Sequence, residues 1–530
     1  MMTKKITMLS SIVLLIVSLI FLKNLHETSF ELMNTMSVEK AEEIRKTRMF
    51  RAKLEFSCLL CNDERVPFDD SSKTFYVPLD NQDAEWEELR FTSGQAEYKI
   101  AFLENIVKFD KQNAIAKGDK YEIIVFDDEE WSKYYVVFSG LPVIDFSTAE
   151  GFYSENITGT VVFYDTDFVT NGVVESAYNG HVRGNTSRMY PKKGYKLNLI
   201  KNTASGTTIN NKQKIFGMRE DDDWILYGMY NDDTKIRDML SLEVWNSFGA
   251  NPEGEKITYG FHMTYVEVFA DNQYCGLYGL MEPVDAKQLN LRTSDYLYKR
   301  KNPGSLEYQK FISATDPYGE VQGFEIKHGI MNEEAWIPMA EISQIIMSEG
   351  TVFAAAIPKI IDINSAMRLW LFMQIVTGHD QTAKNVYYIA RSYEDGYRFS
   401  FAPWDLDLTW GNVSVGEENP LYTAFESEIY DDWIHWETAD QIIEDNIEGV
   451  TLEMQQLYQQ LRGNVLSNEN IEQYIQTMSD MLEDSGAYAR DQKRWPGAAH
   501  TESCEQLIGY AKKRLEFLDN ALLDFSLFEK

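Results

Sequence analysis

Asp380, Asn385, Asp405 and Asp407 are the residue types that phosphoryl transfer asks of a protein: carboxylates and an amide oxygen to hold Mg2+, and a carboxylate to accept a hydroxyl proton. Their order along the chain is regular. An apolar run, Ile363 to Val376, stops at Gly378 and gives way to His379-Asp380-Gln381-Thr382-Ala383-Lys384-Asn385. Val386-Tyr387-Tyr388-Ile389 follows, and later Pro403-Trp404-Asp405-Leu406-Asp407. This pattern predicts helix, polar loop, strand, hairpin, strand and acidic turn. A structural reading stays open on spacing alone, with Asp380 capping a turn and Asp407 serving as a turn residue.

Enzymes of the protein-kinase type hold a base, an Asn five residues on, and a metal-binding Asp beyond a hairpin in this order. Departures from that pattern are plain. There is no G-x-G-x-x-G loop and no V-A-I-K strand, and His379-Asp380 lacks the intervening Arg of H-R-D. A P-loop is excluded, since no G-x-x-x-x-G-K-[ST] occurs.

The elements that must position these residues begin near Val143. Gly159 to Tyr164 and Gly180 to Gly184 read as strands. Arg183-Gly184-Asn185-Thr186-Ser187 and Pro191-Lys192-Lys193-Gly194-Tyr195-Lys196 form a turn with cations on both sides, where backbone amides and side chains can face an anion. A surface hairpin with solvated basic residues fits the same residues. Asp232 or Asp233 can cap a helix whose Ile236, Leu240 and Val244 recur every four positions and which Gly249 ends. That helix offers Glu243 as a partner for a phosphate-binding lysine. Tyr265 to Phe269 and Leu277 to Leu280 read as a hairpin around Asp271-Asn272-Gln273. Beyond it the chain is mostly helical, with amphipathic stretches at Leu452 to Leu482 and Cys504 to Leu523. Residues 143–530 therefore read as one α+β unit with a strand-rich lobe followed by a helix-rich one.

The separated blocks Arg183 to Ser187, Pro191 to Leu197, Asp223-Trp224-Ile225-Leu226 with Asn231-Asp232 and Arg237, Val266 to Phe269, Gly276-Leu277-Tyr278, and Pro403 to Asp407 with Gly411-Asn412 stand in an order that resembles the spore coat protein H (CotH) kinase-like family. The resemblance covers roughly Leu141 to Lys530. It implies an atypical, two-lobed protein-kinase-like fold that binds Mg-ATP and phosphorylates a protein, in the founding members a coat protein of the spore. By motif position Asp380 matches the catalytic Asp and Asp405 the metal-binding Asp, with Asn385 and Asp407 as supporting metal ligands. Arg183, Lys193 and Lys196 fall in blocks expected near the phosphates, Lys193 ahead of Lys196. Glu282 falls at the hinge where adenine would lie.

Ahead of that region the chain reads as three pieces. Lys4 and Lys5 precede a 17-residue apolar run, Ile6 to Leu22, with no small-x-small cleavage site after it. Residues 1–25 thus read as an uncleaved membrane anchor, or else a signal peptide, with the paired lysines keeping the N-terminus cytoplasmic and the bulk outside the cell. Residues 26–53 read as a charged stalk. Residues 54–142 carry short β-rich runs that predict a small sandwich-like module.

Composition narrows the function classes. The net charge of −33 repels nucleic-acid backbones. Four cysteines exclude a disulfide scaffold, and the lone C-x-x-C at Cys58 and Cys61 lacks a second pair for zinc, leaving a local disulfide or two free thiols. The expected activity is an exported or membrane-anchored bacterial kinase acting on a protein substrate. Two alternatives remain at this point: a surface adhesin or scaffold with this fold and little catalysis, and a glycosyltransferase using Asp405-Leu406-Asp407 as an Asp-x-Asp metal site. The latter chemistry is usually built on a Rossmann-like α/β pattern, whereas the strands here read as antiparallel.

Overall fold

The computed structural model describes residues 35–56, 58–79, 89–103, 118–249, 260–414 and 423–524. The segment read as an anchor lies outside the described residues, among which no helix is long and apolar enough to cross a membrane. The architecture is mixed α+β.

Seven strands dominate the first half of the region that begins at Val143: β1 (Val143–Thr148), β2 (Asn156–Tyr164), β3 (Val174–Val182), β4 (Tyr195–Asn202), β5 (Asp223–Tyr227), β6 (Met263–Ala270) and β7 (Gln273–Met281). The sheet closes on itself. Going round, β1 pairs with β2, β2 with β3, β3 with β4, β4 with β5, β5 with β7, β7 with β6, and β6 returns to β1. Every pair is antiparallel except β1–β6. The antiparallel reading of this region therefore holds for six of the seven pairs, and the seven strands close into a barrel. Alternation shows why: in β4 Tyr195, Leu197 and Leu199 are buried while Lys196 and Asn198 are not. The interior is filled by such residues, including Phe146, Tyr178, Trp224, Val266 and Tyr278.

A four-stranded antiparallel sheet follows, built from β8 (Tyr296–Arg300), β9 (Phe324–His328), β10 (Val386–Tyr393) and β11 (Gly396–Pro403) in the order β9-β8-β10-β11. Against it lies the helix Ile363–Val376, with twelve of its fourteen residues buried, which is why apolar residues fall on most of its circumference. The Asp362 carboxylate caps its first turn through Ser365 N, and Thr377 closes it in the left-handed conformation at φ 52°. The loop expected after this helix contains a further helical turn, His379–Ala383. The long stretch Leu452 to Leu482 is two helices, Val450–Arg462 and Asn468–Asp484, because Ser467 takes the Asn470 amide and starts a new helix after Gly463.

The N-terminal module begins earlier than its sequence texture suggests. Residues 35–53, read as stalk, contribute a strand Thr35–Met36, a helix Val38–Thr47 and a strand Met49–Phe50 to the seven-stranded sheet of the module. Met36, Ala41 and Ile44 are buried against Ile124 and Phe126, a small core that sparse apolar spacing did not advertise. The sheet is mixed, with three parallel pairs, and is accompanied by a separate three-stranded sheet. Its core runs on without a break to the outside of the barrel through Val143, Phe269 and Tyr274, where the Tyr76 ring lies 4.7 Å from that of Phe269.

Candidate functional site

Asp380 lies in the helical turn that follows the buried helix, and Asn385 just beyond it bridges two strands by backbone bonds: Asn385 N donates to Arg300 O (2.7 Å) and Trp404 N to Asn385 O (2.9 Å). Asn385 takes φ 60° to do so, a conformation that Asn tolerates. Its amide Nδ2 donates to Asp380 Oδ2 at 2.5 Å, which leaves the amide oxygen available to a cation. Lys384 Nζ lies 3.2 Å from Asp380 Oδ1. Gln381 Nε2 donates to the carbonyls of Trp404 (3.1 Å) and Asp405 (2.8 Å), tying the helical turn to the acidic turn at the end of β11.

In the acidic turn Asp405 adopts φ 58°, and its carboxylate takes no hydrogen bond or ion pair among the described residues. Asp407 Oδ2 accepts from Asn231 Nδ2 at 2.6 Å. Between them Leu406 N donates to Asp238 Oδ1 at 3.1 Å, so the first turn of the helix Arg237–Ser247 holds the acidic turn from the barrel side. Burial, then Asp405, pushes the Asp407 carboxyl up to about 7. Burial, then Asp407 and Asp405, raises Asp238 well above the usual carboxylate range. Burial also raises Asp380, with Lys384 working in the opposite direction. Carboxylates crowded in this way, with an unpaired Asp405 and a free amide oxygen, form a hard-oxygen donor set that fits Mg2+.

These residues line a two-chambered cleft between the barrel loops and the second sheet. The chamber of about 210 Å³ holds Asp380, Lys384 and Asp407 opposite the loops around Ser187 and Tyr230. The adjoining chamber of about 390 Å³ has an apolar wall from Ile225, Val284, Leu297 and Tyr387, and carries Arg183, Lys196, Lys299 and Lys327. Arg183, Lys301, Asn385 and Asp405 line both.

The structure thus brings together Asp380, Asn385, Asp405, Asp407 and Arg183, whose guanidinium sits 5.4 Å from the Trp404 ring. Lys196 lines the larger chamber, half-buried and 3.5 Å from Asp223. Lys193 is apart from both chambers, with Nζ bonded to Arg188 O; its neighbour Lys192 is the buried one. Glu282 also lies outside the lining, because its oxygens accept from the backbone amides of Arg219 (2.9 Å) and His262 (3.2 Å), while Pro283 and Val284 face the chamber. Glu243 is exposed on its helix, and Asp238 is the acidic side chain that this helix turns toward the cleft.

Three contributors were not read from the sequence: Lys299, Lys301 and Asp238. Lys299 is enclosed between the rings of Tyr387 (5.7 Å) and Trp404 (5.8 Å), and burial, with Arg183 adding repulsion, pulls its ammonium down to about 8. The run Lys299-Arg300-Lys301 was the available signal, but only the β8–β10 pairing shows that it borders the acidic turn. A second acidic group, Asp221-Asp222-Asp223, brings its carboxylates together around the Lys287 ammonium, with Arg219 paired to Asp221 and Lys196 to Asp223, so three cations offset the three carboxylates.

The family model for CotH kinase protein matches residues 181–518, more than half of the chain and the whole of this cleft. The chain belongs to the CotH kinase family. The match begins in β3 and ends in the helix Glu505–Asp524, so the N-terminal module lies outside it. No curated protein matches the chain significantly.

Proposed function

We propose that this member of the CotH kinase family is a Mg2+-dependent kinase that transfers the γ-phosphate of ATP to a hydroxyl of a protein substrate. The observation that carries the reading is the convergence, in one cleft, of the Asp380–Asn385 pair and the unpaired Asp405 with Arg183, Lys299 and Lys301. The barrel and the helix-rich half correspond on this reading to the two lobes of a kinase. Asn385, Asp405 and Asp407 would hold Mg2+, which when bound neutralises charge on the phosphates.

The chain's own groups divide the remaining work. Ile225, Val284 and Leu297 supply an apolar slot for the base, next to the connector Pro283-Val284. Arg183, Lys299 and Lys301 take the phosphate oxygens. Asp380, held by Asn385 and Lys384, accepts the proton as the substrate oxygen bonds to the γ-phosphorus and the bond to the bridging oxygen breaks, with ADP leaving. A barrel whose strand pairs are antiparallel in all but one case argues against the glycosyltransferase alternative, whose usual scaffold is a parallel α/β sheet. We place the protein at the membrane with its folded part outside the cell, on the apolar run Ile6 to Leu22 and the flanking lysines. Protease added to intact cells should then digest the folded part.

Binding of ATP to the purified protein with and without Mg2+, followed by labelled phosphate transfer to candidate proteins, tests the activity. Asp405→Ala is expected to abolish Mg2+-dependent nucleotide binding, and Asp380→Ala to lower turnover by roughly a hundredfold or more with little change in affinity. Folded protein that binds no nucleotide would overturn the kinase reading and favour a surface scaffold.

A further inference from the structure

A second cleft, of about 580 Å³, opens where the N-terminal module meets the barrel and the helix Ala487–Arg494. Its charged walls come from three distant parts of the chain: Asp69-Asp70 and Lys120 from the module, and Arg490, Lys493 and Arg494 from the helix. Ser71 and Ser72 supply hydroxyls, and Tyr274 from the barrel has a buried hydroxyl with no hydrogen-bond partner.

The cations outnumber the anions, and the anions are committed. Asp69 accepts from the Ser71 and Ser72 hydroxyls (2.9 and 2.5 Å), and Asp70 pairs with Lys53 at 2.7 Å. Arg490 is fixed by a bidentate pair with Glu267 (2.8 and 2.7 Å), and Arg494 Nε donates to Tyr274 O. Lys493 makes no hydrogen bond or ion pair among the described residues, and Lys120 has only the Thr74 hydroxyl at 3.1 Å and the Tyr135 ring. Lys120 is pulled below the usual lysine range, first by burial and then by repulsion from Lys493. Positive charge left mutually repelling, in a chain of net charge −33, is a site short of an anion.

We propose that this junction cleft binds a phosphomonoester dianion, with Lys120 and Lys493 as its ligands. The chemistry is shared by inorganic phosphate and by a phosphorylated serine or threonine of a peptide. It is independent of the nucleotide reading of the other cleft.

The test is calorimetric titration of the full chain with inorganic phosphate, with a phosphoserine peptide and with the unphosphorylated twin, in the Lys299→Met background so that the first cleft contributes little. Lys120→Ala/Lys493→Ala should weaken phosphate binding by roughly tenfold or more, the loss of charge-assisted contacts, while Lys493→Arg retains it. A phosphopeptide that binds more tightly than phosphate, with its twin silent, identifies a peptide source; equal affinities identify free phosphate. Unchanged phosphate affinity in the double alanine variant, or no binding of either anion by the folded chain, overturns the proposal. Lys493 holds no partner among the described residues, so Lys493→Ala alone should unfold at the midpoint of its parent and still weaken phosphate binding, which separates lost binding from lost folding.

Discussion

Lys192 and Lys193 are adjacent and chemically identical, yet replacing each by methionine should have opposite consequences. Lys192 is fully enclosed: its ammonium donates to Leu277 O and to Asp491 Oδ1 (2.6 Å), and neither side chain of the ion pair touches solvent. Lys193 reaches only the Arg188 carbonyl at the surface. Removing one partner of a buried pair leaves an uncompensated charge at a cost of roughly 3–5 kcal/mol. Here His500, 3.7 Å from Asp491, and the buried Lys235 soften the loss, placing Lys192→Met near ~3 kcal/mol. For a unit of a few hundred residues this lowers the unfolding midpoint by roughly 6–12 °C, while Lys193→Met stays within about 2 °C. Differential scanning fluorimetry of the two variants reads the difference. Acid should act on the same pair. Burial alone would raise the Asp491 carboxyl, but Lys192 and His500 hold it well below the usual carboxylate range. The folded state thus binds this proton more weakly than the unfolded chain. The contribution is complete above about pH 4, is withdrawn as pH falls further, and should vanish from the acid limb of Asp491→Asn. Equal midpoints for Lys192→Met and Lys193→Met would refute the burial argument.

Lys299→Met should weaken ATP binding by roughly tenfold or more, whereas Glu282→Gln should leave the affinity unchanged and lower the unfolding midpoint, since its carboxylate serves only backbone amides; equilibrium binding and thermal unfolding of both variants check this. Asp238→Ala should strand the Leu406 amide at a cost of ~1–3 kcal/mol and weaken Mg2+-dependent ATP binding, although Asp238 lines neither chamber. Cys61 is a free, buried thiol whose pKa burial pushes up to about 12, so thiol reagents should modify it only as fast as the module unfolds, as mass spectrometry after timed labelling would show.

What could be read from the sequence was local. The buried helix Ile363–Val376, the turn bearing Asp380 and Asn385, the hairpin and the acidic turn all follow from short-range periodicity and turn chemistry, and the structure places their four polar side chains around one cleft. Periodicity could not reveal pairing across long separations. The parallel bond between β1 and β6 that closes the barrel joins Val143 to Glu267, and nothing in either strand announces the other. For the same reason Lys299 was invisible as a cleft residue until β8 lay beside β10, and the small core of Met36, Ala41 and Ile44 was read as stalk.

Residue types and their order supply the groups that the proposed phosphoryl transfer needs, the carboxylates, the amide and the cations, in a chain of the CotH kinase family. Which of those groups face the cleft depends on packing between distant segments. Gly276 at φ 124° shows the physical reason, since a Cβ there would come within 2.6 Å of Asp491 Oδ1. By omitting that atom it lets the helix Ala487–Arg494 approach the barrel and bury Lys192, leaving Lys193 outside. Residue type fixes what a side chain can do, whereas burial and partner, set by contacts between residues hundreds of positions apart, select the ones that do it.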